Sequence, residues 1–400
     1  MSSRKKITIL GATGSVGRAA QDIIKSAPER FDVQVVTAGT NAKSLAQAAK
    51  QLDARKAVIA DENKLAELKE LLSDTNIETA AGTNAISECA GEPADLVLAA
   101  IVGLAGLRPI LNALEAGINI AVANKEPLVA AGQLVTELAK KTGAKILPVD
   151  SEHNAIFQVF EEQNRAEIEK IILTASGGPF RESTKEQMAK ATPAEALAHP
   201  NWTMGRKISI DSATMVNKAL EVIEAHYLFN MPAEKIEVLI HPQSIVHSMV
   251  SYTDGSVLAQ MGASDMRTPV TYALGWPERM EGCGDKLDFT KIKSLTFSAP
   301  DLDKFPSLSY AYEALEKGQA ACITLNAANE VAVDAFLNEK ISFPQITECI
   351  RYALDNIPRA SHSEKELGIE DIEALDRTVR DLTTRYIAQC SHLLYEEKAG

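Results

Sequence analysis

The stretch Pro148-Val-Asp150-Ser151-Glu152-His153-Asn154 ends the apolar run Lys145–Val149 with two carboxylates and a hydroxyl. In an extended segment the side chains at i and i+2 share a face, so Asp150 and Glu152 can converge on one hard, oxygen-seeking cation such as Mg2+ or Mn2+. Such an ion needs a third carboxylate. The best placed is Glu221, in Asp211-Ser-Ala-Thr-Met-Val-Asn217-Lys218-Ala-Leu-Glu221. There Asp211 or Ser212 reads as a helix N-cap, and positions 217, 218 and 221 share one helical face. An amide, an ammonium and a carboxylate side by side suit a phosphate next to a metal. Spacing alone leaves open a plainer reading of the same residues: an acidic strand-end turn and an ordinary helical Lys–Glu pair.

A second chemical signal opens the chain. Residues 6–23 read as a strand (Lys6–Leu10), a turn (Gly11-Ala-Thr13-Gly14-Ser15-Val16-Gly17) and a helix from Arg18, the context a dinucleotide fingerprint requires. Glycines let the backbone approach a pyrophosphate, and the helix start offers N–H groups and a positive dipole end. The next strand, Phe31–Val36, runs into Thr37-Ala-Gly39-Thr40-Asn41 without an acidic residue. An Asp or Glu there would bind the ribose 2′-OH and repel a 2′-phosphate, so its absence favours NADP over NAD. Lys43 is near enough in sequence to assist.

The elements that hold these residues follow from the alternation. Strand and helix patterns succeed one another through Ala57–Ala60, Leu65–Leu72, Asp95–Ile101, Leu107–Ala116, Asn119–Val122, Val129–Lys141 and Lys145–Val149. That rhythm predicts an α/β, doubly wound (Rossmann-like) parallel sheet over residues 1–149, the NADP-binding domain. Residues 150–274 read as a central α+β catalytic domain. In it the strand Lys170–Ala175 runs into Ser176-Gly177-Gly178, a turn whose hydroxyl and N–H groups suit phosphate. Pro193 to Gly205 sets His199, Trp202 and Met204 among helix breakers, the composition of a lid. His241 and His247 lack zinc-ligand spacing and read as packed or surface histidines. Residues 275–305 form a connector, and 306–400 a helical C-terminal domain that buttresses the site or a dimer.

Bulk properties narrow the function classes. With 400 residues the chain exceeds one ordinary core. A formal charge of −13 with no Lys/Arg block argues against nucleic acid and membrane as partners. The five cysteines are scattered, with no C-x-x-C pair, which points away from disulfides and structural zinc and toward a reducing, cytoplasmic setting. The apolar runs after Arg4-Lys-Lys6 and over Leu96–Leu107 are too short for a signal core or a bilayer span.

Seven blocks in this order resemble the 1-deoxy-D-xylulose 5-phosphate reductoisomerase family: Gly11–Gly17, Ala123-Asn124-Lys125-Glu126, Pro148–Asn154, Thr174–Arg181, His199–Gly205, Lys207–Met215 and Leu325-Asn-Ala-Ala-Asn-Glu330. The resemblance runs from the first strand through the C-terminal helices. It implies rearrangement of a linear 2-keto sugar phosphate to a branched aldehyde and its reduction by NADPH, with one divalent cation (Mg2+, Mn2+ or Co2+), giving 2-C-methyl-D-erythritol 4-phosphate for isoprenoid synthesis. It makes Asp150, Glu152 and Glu221 the metal ligands and, with Lys125, the catalytic set. It places Lys125, Ser151, Ser176, His199, Ser212, Asn217 and Lys218 around the substrate, the serines, Asn217 and Lys218 holding its phosphate. Cofactor contacts fall to Thr13, Gly14, Ser15, Val16, Gly39, Thr40, Asn41, Asn124, Glu126 and Gly205. By the same analogy the chain is a homodimer acting on a small molecule.

Three positions depart from the family pattern. Thr40 stands where lysine is frequent, Pro127 where serine is usual, and Ser264 where proline is usual; only the first touches the proposed chemistry, at the 2′-phosphate. The Gly11–Gly17 turn also resembles the opening of semialdehyde dehydrogenases, but no cysteine sits in a nucleophile-like turn. No Tyr-x-x-x-Lys of a short-chain dehydrogenase occurs. A non-catalytic NADP-sensing regulator is the reading from another class, and it gives the three carboxylates no purpose.

Overall fold

β1 (Lys5–Leu10) is a run whose inner residues Ile7, Ile9 and Leu10 are wholly buried, as expected for a parallel strand covered on both faces. The computed structural model describes residues 4–202, 204–357 and 367–399. These fall into two compact units, one of residues up to 127 with 135–160 and 265–288, the other of 128–134, 161–264 and the chain from 289 onward.

The first unit alternates strand and helix: α1 (Ser15–Ser26), β2 (Phe31–Ala38), α2 (Ala42–Gln51), β3 (Lys56–Ile59), α3 (Leu65–Leu71), β4 (Glu78–Ala81), α4 (Thr83–Ala90), β5 (Leu96–Ala99), α5 (Leu107–Glu115), β6 (Asn119–Val122), the start and end of α6 (Glu126–Thr142), β7 (Ile146–Pro148) and α7 (Ser151–Val159). The seven strands are all parallel, in the order β4-β3-β2-β1-β5-β6-β7. The chain leaves β1 toward one edge and returns at β5 to build the other half. A ligand crevice is expected outside the carboxyl ends of those two strands. Ile7, Ile9, Val33, Val36, Leu96 and Leu98 form the core with Ala20, Ile23 and Ile24 of α1. The helix Arg267–Gly275, α12 in chain order, closes this core with Val270, Ala273 and Leu274.

Two features differ from the sequence expectation. β4 and α4 fill the interval between Leu72 and Asp95; β4 is a half-exposed edge strand of sequence Glu-Thr-Ala-Ala, which carries no apolar signature. β7 stops at Pro148, so Asp150 and Glu152 do not lie on an extended segment. Within α6, Ala131 leaves the helical region (φ −136°, ψ 26°), and residues 128–134 belong to the second unit.

The second unit is built on a four-stranded mixed sheet. Its elements are β8 (Ile168–Ala175), α8 (Lys185–Met188), α9 (Pro193–Leu197), α10 (Arg206–Ala213), α11 (Val216–Phe229), β9 (Ile236–Ile240), β10 (Val246–Tyr252) and β11 (Val257–Met261). The order is β11-β10-β8-β9, parallel only between β8 and β9. α13 (Ser307–Lys317), α14 (Gln319–Leu337), α15 (Phe343–Asp355) and α16 (Ile369–Ala399) supply the helical part. α14 is the one helix among the described residues long and apolar enough to cross a membrane, and 72% of that window is buried inside the protein. That burial is the mark of a core helix.

Candidate functional site

In the first unit, β1 delivers Gly11 in a left-handed conformation (φ +83°), and a Cβ there would lie 2.4 Å from the Ala100 carbonyl oxygen beyond β5. The turn therefore packs backbone against backbone at the switch point between β1 and β5. Thr37, at the end of β2, ties it down: its hydroxyl accepts from Gly11 N–H at 2.9 Å and its carbonyl from Ala12 N–H at 2.8 Å. Gly14 is the N-cap of α1, which no side chain caps. The first-turn N–H groups, with Thr13, Ser15 and Val16 around them, are thus left uncapped by any side chain, a geometry suited to an anion. Gly39 and Thr40 lie exposed past β2. Asn41 has structural work as well, since its side chain caps α2 by accepting from Ser44 N–H at 2.9 Å. Lys43 is exposed.

Past β6, the Asn124 amide donates to the Gly103 carbonyl at 2.9 Å and pins the loop after β5. Lys125 is the N-cap residue of α6, Glu126 its first residue, and both are buried. Lys125 forms an ion pair with Asp150. Asp150 is the N-cap residue of α7 but makes no side-chain capping bond; its carboxylate is engaged by the lysine instead. Ser151 and Glu152 begin the helix, and the Ser151 hydroxyl donates to Glu152 Oε2 at 2.6 Å. Carboxylate oxygens of Asp150 and Glu152 come within 4.8 Å of one another. The pair thus converges because one residue precedes the helix and the other sits in its first turn, where the helix dipole favours negative charge. Burial acts to raise the Asp150 carboxyl, but the Lys125 ammonium and His153 beside it outweigh burial and hold it below the usual carboxylate range. Asp150 is therefore ionised at neutral pH, the form a hard cation binds.

In the second unit, β8 runs into Ser176. The Ser176 hydroxyl accepts from Gly178 N–H at 3.2 Å, and Arg181 donates to the Ser176 carbonyl at 2.8 Å. His199 Nδ1 accepts from the N–H groups of Asn201 (3.2 Å) and Trp202 (2.9 Å). An Nδ1 with two donors facing it carries no proton, so the proton of the neutral ring is on Nε2. That Nε2–H donates to Ser176 Oγ at 3.0 Å. With two donors already facing it, Ser176 keeps its own hydroxyl proton for a ligand oxygen. The Asn201 amide anchors the same loop on Pro242 O and Ser244 Oγ at 2.7 and 2.9 Å. The Trp202 ring lies 6.0 Å from that of His247, and Met204 and Gly205 complete an irregular stretch between α9 and α10; Thr203 lies outside the described residues. His241 is a packed histidine: its Nε2 accepts from Ile245 and Val246 N–H, and its ring stacks on Phe297.

Neither Asp211 nor Ser212 is a helix N-cap. Both lie in the last turn of α10, and α11 starts at Val216 after Met215, which is left-handed at φ +61°. The Thr214 hydroxyl makes this break, donating to Ile210 O at 3.0 Å and accepting from Val216 N–H at 3.4 Å. Asn217 and Lys218 consequently occupy the first turn of α11, so the helix N-terminus expected at Asp211–Ser212 lies instead at Met215–Val216. Glu221 is wholly buried and accepts from Asn217 Nδ2 while pairing with Lys218 Nζ. The sequence does not reveal Thr37, Arg181 or a Lys207–Asp211–Asn329 chain in which Asp211 and Asn329 are buried. Thr37 and Arg181 brace the backbone of the Gly11–Gly17 turn and of the Ser176–Gly178 turn, contacts that residue type alone does not mark; the third involves Asn329, within the block Leu325–Glu330.

Family models cover most of the chain: "1-deoxy-D-xylulose 5-phosphate reductoisomerase" matches residues 7–132, "1-deoxy-D-xylulose 5-phosphate reductoisomerase C-terminal domain" 146–229, and "DXP reductoisomerase C-terminal domain" 261–382. The 1-deoxy-D-xylulose 5-phosphate reductoisomerase of Zymomonas mobilis is 50% identical over 380 residues, spanning 95% of this chain and 97% of the relative. The chain belongs to the 1-deoxy-D-xylulose 5-phosphate reductoisomerase family. The Rhodospirillum centenum member is 51% identical over 96% of this chain and 94% of its own length. Among solved structures, the Zymomonas mobilis reductoisomerase in complex with NADPH superposes with a TM-score of 0.89 at 47% identity, covering 96% of this chain and 99% of that one. A DOX-P reductoisomerase in complex with NADPH, fosmidomycin and magnesium gives 0.92 at 44% identity, covering 96% and 98%. The Rossmann-like first unit, second sheet and helical region are those of the family, and neither the semialdehyde dehydrogenase nor the non-catalytic regulator is favoured.

Proposed function

We propose that this chain performs the family's reaction, with Asp150, Glu152 and Glu221 holding the divalent cation and the residues of the Ser176 turn, Ser212 and the α11 N-terminus holding the substrate phosphate. The reaction rearranges 1-deoxy-D-xylulose 5-phosphate and reduces the product to 2-C-methyl-D-erythritol 4-phosphate with NADPH. The observation that carries the metal assignment is the chemistry of the donors. Asp150 is kept ionised beside Glu152, and Glu221 is a wholly buried carboxylate on the α11 face that also carries Asn217 and Lys218. An all-oxygen carboxylate set fits Mg2+, Mn2+ or Co2+. When bound, the cation supplies positive charge where negative charge develops on the substrate's ketone and hydroxyl oxygens.

The chain's own residues do the rest. Lys125 keeps the Asp150 carboxylate ionised and oriented, and Ser151 orients Glu152. Ser176 offers a hydroxyl proton to phosphate, with the neutral His199 fixing that hydroxyl. Ser212, Asn217 and Lys218 add donors, and binding energy from the unreactive phosphate positions the carbon skeleton. The turn 11–17 with Asn124 and Glu126 serves the nucleotide, joined by Gly205. The functional parts are residues 1–149 for NADP, 150–274 for catalysis and 306–400 for support, with 275–305 connecting them. A cytoplasmic homodimer is the form we expect. β11 is an edge strand with Val257 50% exposed beside exposed Leu258 and Ala259, an unpaired apolar edge of the sort that a second copy covers.

NADPH is expected to be preferred over NADH by at least about tenfold in kcat/KM, because β2 ends without an acidic residue and Gly39, Thr40 and Asn41 leave room for a 2′-phosphate. Equal values for the two cofactors would remove Thr40 and Asn41 from the cofactor site. Trp202→Ala is expected to raise substrate KM and lower kcat, the combined loss being on the order of ten- to a hundredfold. Its Tm should stay near native, because the half-buried indole lies outside the core. A lowered Tm with unchanged rate would make Trp202 a packing residue.

A further inference from the structure

The block Leu325–Glu330 has no role in the reaction as described, yet it places Asn329, wholly buried on α14, against α10. Asn329 Nδ2 donates to Asp211 Oδ1 at 2.8 Å, and Lys207 Nζ lies 2.9 Å from Asp211 Oδ2. The Asn329 amide oxygen takes no hydrogen bond among the described residues, so the side chain is held in the core for its bond to Asp211.

Helix stability does not explain this arrangement. Lys207 lies in the first turn of α10 and Asp211 in its last, so both charges oppose the helix dipole, and a lysine four residues before an acid is the weaker orientation. A buried carboxylate with a partly exposed lysine and a half-satisfied amide is also a poor stabiliser next to apolar packing; the best-attested use of such a buried polar group is to fix a register.

The register in question is that of Ser212, the next residue. Gly178 adopts φ +67°, and a Cβ on it would lie 2.6 Å from the Ser212 carbonyl oxygen. The Ser176 turn is therefore seated directly on the Ser212 backbone. A bond from α14 to Asp211 sets where that backbone sits and hence the spacing of the two serines. Downstream, Ser307 donates to Thr214 O at 2.7 Å and fixes the other side of the α10–α11 break.

We propose that Asn329 is a positioning residue for substrate-phosphate recognition, acting through Asp211 on Ser212. This rests on the reading of Ser212 as a phosphate-binding residue. The test compares Asn329→Leu, Asn329→Asp, the exchange Asp211→Asn with Asn329→Asp, and Ser212→Ala in the full-length enzyme with NADPH and Mg2+. Each is assayed on 1-deoxy-D-xylulose 5-phosphate and on phosphate-free 1-deoxyxylulose, with NADPH affinity measured alongside.

Both single Asn329 changes should raise KM for the phosphorylated substrate about tenfold or more, leaving kcat/KM for the phosphate-free substrate and NADPH affinity within about twofold of native. The exchange re-forms an amide-to-carboxylate bond of the same size but gives up the Lys207–Asp211 charge pair, so it should recover part of the loss and exceed Asn329→Asp. If Asn329→Leu fails to fold, Asn329→Asp and the exchange carry the comparison. A fall in Tm without a phosphate-selective loss, an equal loss on both substrates, or an exchange variant no better than Asn329→Asp overturns the proposal. Should Ser212→Ala itself show no phosphate-selective loss, the reading of Ser212 fails; should it alone show one, only the role of Asn329 fails.

Discussion

Glu221→Gln is expected to lower turnover by at least about a thousandfold, roughly 4 kcal/mol of transition-state stabilisation, while NADPH binds with native affinity. The substitution keeps size and an acceptor for the Asn217 amide, so the α11 face retains its shape. What goes is one negative charge from the proposed ligand set. Glu221 lies on α11, outside the nucleotide turn at residues 11–17, so cofactor fluorescence should titrate as in the native enzyme. Lys218, which is itself buried, loses its counter-charge, and Tm therefore has to be recorded with the rate. Near-native activity at low metal concentration would make Glu221 a structural partner of Lys218 and require a third ligand elsewhere.

Ser212→Ala is expected to weaken kcat/KM for the phosphorylated substrate by on the order of ten- to a hundredfold, since a hydrogen bond to a charged group contributes about 1.5–3 kcal/mol. Lys218→Gln should act in the same direction, because its ammonium stands in the first turn of α11 where the helix dipole also favours an anion. The control is phosphate-free 1-deoxyxylulose. The native enzyme should use it poorly, and the Ser212 change should cost it almost nothing further. Equal damage with both substrates would show that this region supports Glu221, the proposed metal ligand, rather than the phosphate.

How far the sequence reveals this arrangement depends on whether the determining contacts are local. The Gly11–Gly17 turn is legible because its glycines, the preceding apolar strand and the following helix are contiguous between Lys5 and Ser26, and Gly11 needs its left-handed φ and the close approach of Ala100. That Asp150 and Glu152 converge is legible from their spacing and residue type, and their carboxylate oxygens do come together. The conformation of the two residues is not legible, because Ile146–Val149 reads as strand up to the point where α7 takes over, and the carboxylate that could cap α7 is diverted to Lys125. The helix break at Met215 leaves no mark either, since methionine is not a usual left-handed residue; Thr214 makes the break and Ser307, 93 residues away, holds it. The same applies to Asn329 and Asp211, 118 residues apart. β4 escapes notice because an edge strand can be half exposed and carry alanines in place of branched apolar residues.

The most direct test of the account is NADPH oxidation by the purified protein with 1-deoxy-D-xylulose 5-phosphate, followed at the nicotinamide absorbance band with Mg2+ or Mn2+ present and again after chelation. The account predicts oxidation that requires both the sugar phosphate and the divalent ion, stops on chelation and resumes when the ion is restored. Oxidation that persists undiminished without the ion, or none in its presence, would contradict it.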